Sequence, residues 1–105
     1  MINLSDYKKI HCIGIGGIGL SAIAEILMSR GYEVSGSDMR ESDMTEKLMR
    51  DGADIYLGHR AKNVEGKDLV VYSSAVGADN PELVRAAELG IPAVTRAQAL
   101  GALMD

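Results

Sequence analysis

The stretch CIGIGGIGLSAIAE, residues 12–25, places four glycines (Gly14, Gly16, Gly17 and Gly19) within six positions, between an apolar run and good helix sequence. Glycine loses more conformational freedom on folding than any other residue, so such a cluster needs a cause. A bare strand-to-helix turn needs one or two glycines. Four imply that a ligand must approach the backbone more closely than a side chain would allow. Gly14, Gly16 and Gly19 satisfy G-x-G-x-x-G, a common pattern that gains weight here because it leaves a predicted strand and opens a predicted helix. In that setting the first glycine makes the turn, the second admits a phosphate to the backbone, and the third lets the helix pack close to the sheet. The N–H groups that open the helix, aided by its dipole, form an anion site. A hydrogen bond to a charged group contributes about 1.5–3 kcal/mol, so two or three amides suffice to anchor a diphosphate.

The rest of the chain alternates between two apolar periods. KKIHCIGI (8–15), YEVSGSD (32–38), DIYLG (54–58), DLVVYSS (68–74) and IPAVT (91–95) read as strands. The fourth, continuously apolar, suits a central parallel strand covered on both faces. Leu20, Ile23, Ala24, Leu27 and Met28 have the spacing of a helix over 18–30, which Gly31 closes. Asp43 and Glu46 have the form of a capping box opening a short helix that Gly52 ends. Asn80-Pro81 starts a helix over 81–89 ended by Gly90, and Thr95 with Gln98 caps a last one running to about Met104. Residues 38–43 read as a solvated connection, residues 59–67 as a bare loop, and Met28, Met44, Met49 and Met104 as helical core positions.

Strand–helix repetition implies an α/β fold: a single Rossmann-like, three-layer, doubly wound domain with a parallel five-stranded sheet of order 3-2-1-4-5. With 105 residues there is room for one domain only, and its ending on a helix suggests a cut at a domain boundary. There is no Trp or Phe, so the core must be aliphatic. A net charge of −4 argues against nucleic acid or an anionic membrane as partner. One cysteine, no signal-peptide pattern and no membrane-length apolar run point to the cytoplasm.

Several residues converge on the carboxyl edge of this sheet. Asp38 ends strand two, where dinucleotide folds keep an acid for a ribose diol, although a turn or cap role competes. Ser73 and Ser74 end strand four, facing the glycine loop across the switch-point crevice; plain loop serines are the alternative. His59, beside Arg60 after strand three, reads from sequence alone as solvated more readily than functional. His11 and Cys12 read as a satisfied core histidine and a small buried hydrophobe. Two distant histidines and one cysteine give no metal site, and Gly66-Lys67 is followed by Asp68 rather than by the Ser or Thr of an ATP-binding P-loop. The chain binds something phosphorylated without evident machinery to react it.

HCIGIGGIGLSAIAEIL, GYEVSGSD, SSAVGADNPELVRAA and IPAVTRAQALGALM, in this order and spacing, closely resemble the N-terminal domain of the Mur ligase family, over about Lys8 to Met104. Within it, the branch that adds L-alanine to UDP-N-acetylmuramate in peptidoglycan synthesis is the better match; the branch that reattaches recycled murein tripeptide ranks second. The resemblance implies a domain that holds the UDP moiety. Catalysis, ATP and Mg2+ would belong to the absent remaining domains, and this domain by itself would have no catalytic residues, cofactor or metal. By the same resemblance Gly14, Ile15, Gly16, Gly17, Ile18 and Gly19 wrap the diphosphate. Ser37 and Asp38 face ribose or uracil, His59 contacts the uridine, and Ser73, Ser74 and Ala75 close over the nucleotide. Leu20 and Cys12 depart from the usual family residues at core positions. Two other readings stand beside this one: a regulatory Rossmann module binding NAD through the same glycines and Asp38, and an interaction domain with a vestigial loop.

Overall fold

The chain forms one parallel sheet whose strand order is 3-2-1-4-5, as the alternation of periods requires. The computed structural model describes residues 2–104, and the two terminal residues of the expected 1–105 domain lie outside them. Strands β1 (Lys9–Ile13), β2 (Glu33–Asp38), β3 (Asp54–Leu57), β4 (Leu69–Tyr72) and β5 (Ala93–Thr95) alternate with helices α1 (Ile18–Ser29), α2 (Asp43–Arg50), α3 (Pro81–Leu89) and α4 (Arg96–Met104). The order of these elements matches expectation; the strands are trimmed by one to two residues at most ends. β1 lies between β2 and β4, so its carboxyl end is the point where the strand order reverses.

Side chains alternate across the sheet, and that alternation sorts the core. Ile10 and Cys12 of β1 join Leu69 and Val71 of β4 in a large cluster with Leu20, Ile23, Ala24 and Leu27 of α1, Leu48 of α2, and Ala99 and Leu103 of α4. Ile13 and Val70 face the other way and pack with Val64 and Ala86 of α3. Leu69, Val70 and Val71 are all fully buried, so β4 is covered on both faces as its unbroken apolar run implied.

The punctuation marks of the sequence do what their chemistry allows. Asn80 Oδ1 accepts from the Glu82 N–H at 2.9 Å, Pro81 takes the first helical position, and Gly90 ends α3 at a left-handed φ of 73°. Thr95 and Gln98 cap α4 reciprocally.

Four expectations are corrected. The capping box of α2 is Ser42 with Thr45, one residue earlier than Asp43 with Glu46: Ser42 is extended, its Oγ accepts from Thr45 N–H at 3.1 Å, and Thr45 Oγ1 accepts from Ser42 N–H at 2.8 Å. Asp43 then lies in the first turn, where its charge complements the helix dipole. The connection 38–43 is therefore not merely solvated, since Ser42 caps a helix from within it. Residues 61–64 of the expected bare loop form a 3-10 turn whose Asn63 and Val64 are buried, Val64 against α3. Met49 and Met104 are exposed, because each follows the buried residue of its helix, Leu48 and Leu103, and so lies about 100° around from the core-facing side; Met28 and Met44 do pack on the core.

Candidate functional site

The register of the sheet gathers the expected residues at one edge. Ile13 pairs with Ser37 on one side and with Tyr72 on the other, which sets Gly14 level with Asp38 and Ser73. Asp38 pairs with Leu57, two residues before His59. The glycine loop, the ends of β2 and β4 and the loop after β3 thus surround the switch-point crevice.

Gly14 turns the chain at φ 81°, a conformation that side chains rarely adopt. The amides that follow are not all available. Gly14 and Ile15 donate to Ser37 O at 2.8 and 3.1 Å, and Gly17 donates to Gly14 O at 3.0 Å. Gly16 N–H donates to Asp38 Oδ2 at 2.9 Å, while Met39 N–H donates to Oδ1 at 2.8 Å. Gly17 is the N-cap of α1 and supplies no side chain to cap it. The N–H groups of Ile18, Gly19 and Leu20 consequently have no hydrogen-bond partner among the described residues. Of the six residues expected to wrap the diphosphate, Gly14 to Gly17 have their amides taken by the protein itself, and the open donors lie at the first turn of α1, where the dipole is most favourable to an anion.

The glycines also exclude side chains from different neighbours than the motif suggested. A Cβ at Gly16 would lie 2.7 Å from Asp38 Oδ2 and 3.0 Å from Thr45 Cγ2, so the space there is taken by an acid of the protein itself. A Cβ at Gly19 would lie 2.6 Å from Arg96 Cδ and 3.0 Å from its Nε, which places an exposed cation beside the open amides. Arg96 escaped the sequence analysis because it is the first residue of α4, far along the chain from the loop it covers. Gly19, expected to let the helix pack close to the sheet, instead makes room for the Arg96 side chain of α4, and a separate close approach, of the glycine loop to β2, occurs at Gly36: a Cβ there would lie 2.5 Å from Ile15 Cβ and 2.8 Å from Cys12 O.

Ser37 and Asp38 are neighbours in a strand and so project to opposite faces. Asp38 reaches the glycine loop, whereas Ser37 is fully buried on the α3 side and its hydroxyl donates to Glu82 at 2.8–2.9 Å. His59 Nδ1 lies 2.9 Å from both Ser37 Oγ and Glu82 Oε2, and its ring stays 17% exposed. His11 is fully buried as expected, with Nδ1 2.8 Å from Ser35 Oγ and Nε2 bonded to Glu82 Oε1. Burial by itself would raise the Glu82 carboxyl, but hydrogen bonding and charge from His11, with Ser37 and His59, outweigh it and hold the group below its ordinary range. Glu82 was missed because nothing local distinguishes it from a first-turn acid of α3.

Ser73 is half-buried, while Ser74 and Ala75 lie exposed in the turn that leaves β4. Ile18, 94% exposed, stands at the mouth of the glycine loop. Cys12 is a buried hydrophobe, and burial pushes its thiol up to about 12. No group of three His, Cys, Asp or Glu among the described residues is placed to hold a metal ion, and Gly66-Lys67-Asp68 lacks the hydroxyl residue of an ATP-binding P-loop. Among the described residues no helix is long and apolar enough to cross a membrane.

Comparison with known proteins joins these observations to a family. Residues 9–105 match the model of the Mur ligase family, catalytic domain. A UDP-N-acetylmuramate–L-alanine ligase from Alkaliphilus metalliredigens is 60% identical over 97 residues, which are 92% of this chain and 21% of that protein. The crystal structure of UDP-N-acetylmuramate-alanine ligase from Thermotoga maritima superposes with a TM-score of 0.84 at 42% identity, covering 88% of this chain and 21% of that one. The UDP-N-acetylmuramate:L-alanyl-gamma-D-glutamyl-meso-diaminopimelate ligase from Neisseria meningitides follows at 0.81 and 31%, covering 90% of this chain and 30% of that one. The chain spans about a fifth of the length of the alanine ligases it matches. With its five-stranded order, its glycine loop and nearly its whole length matched, this chain belongs to the Mur ligase family.

Proposed function

We propose that this domain holds the UDP moiety of UDP-N-acetylmuramate while the remaining domains of a larger ligase join L-alanine to it, with ATP and Mg2+ bound there, in cytoplasmic peptidoglycan synthesis. The observation that carries the reading is the open first turn of α1. Three amides without partners among the described residues lie at a helix start beside the crevice, and the Arg96 side chain lies against Gly19 to offset the acidic charge of the domain. Gly14, Ile15, Gly16 and Gly17 shape the loop, while Ile18 and Gly19 supply donors to the diphosphate. Asp38 keeps lone pairs for ribose hydroxyls, since each of its oxygens accepts only one backbone N–H. His59 borders the uridine, and Ser73, Ser74 and Ala75 flank it from β4.

Two or three amide bonds to a charged group give about 3–9 kcal/mol before the costs of association, so isolated binding is weak. Calorimetric titration of the chain with UDP and with UDP-N-acetylmuramate should give saturable heats with both, and incubation with ATP should release no phosphate. Absence of saturable binding to either nucleotide overturns the reading. Displacement of UDP by NADH at lower concentration would assign the crevice to a nicotinamide cofactor instead.

A further inference from the structure

Glu82 is a fully buried carboxylate at the start of α3, and it lies on the opposite side of the sheet from the open amides. Its two oxygens meet His11 Nε2, Ser37 Oγ and His59 Nδ1, with no buried side-chain polar atom left unpaired among the described residues. An ionised carboxylate has no proton to give, so each of these neighbours must donate. The Ser37 hydroxyl has a single hydrogen, which Glu82 receives. Ser37 Oγ can then only accept from His59 Nδ1, 2.9 Å away. Both oxygens near Nδ1 therefore require the proton of the imidazole on that nitrogen.

The other ring nitrogen has no partner among the described residues, and the ring is the member of the cluster that reaches the surface. We propose that Glu82 is a positioning residue that holds His59 in its Nδ1–H tautomer, so that Nε2 presents a lone pair to a hydrogen-bond donor of the bound nucleoside. The donor is either the imide N–H of the base or a ribose hydroxyl. Ser37 backs the arrangement from β2, and His11 supplies a third donor that keeps the carboxylate satisfied in the core. A buried carboxylate with three donors is rigid, because loss of any one leaves charge without compensation. The inference rests on the uridine reading for its ligand but not for its tautomer.

Long-range proton–nitrogen spectra of the 15N-labelled chain at pH 8 read the tautomer directly. The expected result is a protonated Nδ1 and an unprotonated Nε2 for His59. A proton on Nε2, alone or with one on Nδ1, overturns the proposal. Affinities for UDP, 3-methyl-UDP, 2′-deoxy-UDP and 3′-deoxy-UDP then separate the sources of the donor: Asp38 accounts for a loss with the deoxy analogues whatever His59 does, so the donor that His59 reads is the one whose roughly three- to tenfold loss shrinks in Glu82→Gln. Equal binding of all four overturns it. In Glu82→Gln the side-chain amide can offer N–H as well as oxygen, so the tautomer should mix and the discrimination should fall below about twofold. Retention of both would show that Glu82 sets neither. Should that variant not fold, Glu82→Asp takes its place, keeping the charge but withdrawing it by one carbon. Failure of UDP itself to bind would sink the uridine reading, and the spectra would still decide whether Glu82 fixes the ring.

Discussion

Gly36→Ala is the substitution that most directly tests how the glycine loop is seated. Gly36 has no left-handed backbone, so an alanine there meets space rather than torsion as its obstacle. Its Cβ would stand 2.5 Å from both Cβ and Cδ1 of Ile15 and 2.8 Å from Cys12 O. Carbon atoms in contact prefer about 3.5–4.0 Å, so the overlap is roughly 1 Å. A new rotamer of Ile15 would move Cδ1 but not Cβ, and Cys12 O belongs to β1 beside β2, so backbone must part. Overpacking of a tight core costs about 1–3 kcal/mol, and the backbone contacts place this case at the upper end. Reduced unfolded-state entropy returns about 0.4–1 kcal/mol, leaving a net loss of about 2 kcal/mol. For a domain of about 100 residues that lowers Tm by roughly 10 °C. Thermal and urea unfolding followed by circular dichroism measure both quantities. Gly101→Ala is the matched control: nothing lies within 4 Å of its Cβ, and it sits inside α4. There the same chemical change should stabilise by up to about 1 kcal/mol. Ile15→Val, which removes the clashing Cδ1, should cost about 0.5–1.5 kcal/mol alone and much less in the Gly36→Ala background. A Gly36→Ala Tm within about 2 °C of the parent, or strict additivity with Ile15→Val, would refute the packing argument.

Arg96→Ala should weaken UDP roughly two- to fivefold, an exposed-cation effect, and leave uridine binding unchanged; rising salt should shrink the difference, which competition titrations at two ionic strengths would detect. Cys12, with its thiol raised to about 12 by burial, should stay unmodified by iodoacetamide in the native state and react once the chain is unfolded in urea, as mass spectrometry would record. The folded Glu82 carboxyl lies below its ordinary 4.5, so its contribution to stability is complete above that pH and is lost as pH falls through the lower folded value. Tm measured across the acid range, from about pH 6 to about pH 3, should show that limb, and Glu82→Gln should flatten it. Asp68, lowered by the N–H groups of Lys9 and Lys8, adds to the limb with the same sign, so Asp68→Asn should flatten it further.

Much of the molecule is legible in the chain itself. The strand order follows from the alternation of periods, and Asn80-Pro81, Gly90 and the Thr95–Gln98 pair fall where their chemistry requires them. Where local chemistry offers two solutions, local reasoning picks the wrong one. Ser42 and Asp43 are both competent caps, and the helix takes Ser42, whose Oγ accepts from Thr45 N–H while Thr45 Oγ1 accepts from Ser42 N–H. The expected site residues do reach one edge of the sheet, because parallel strands joined by right-handed crossovers put all their carboxyl ends there.

What the sequence by itself determined is everything carried by short-range periodicity: the elements, their order, the glycine turn at the start of α1 and, through resemblance, the family. Tertiary structure alone decided which loop amides remain open, since Asp38 takes Gly16 from another strand. It also decided that Ser37 faces inward, that Gly36 admits the loop to the sheet while Gly19 makes room for Arg96, and that Glu82 unites His11, Ser37 and His59. The physical reason is separation: Glu82 lies 71 residues from His11 and 45 from Ser37. Pairings that distant leave no periodic trace in a chain, and they exist only once the sheet has brought its edges together.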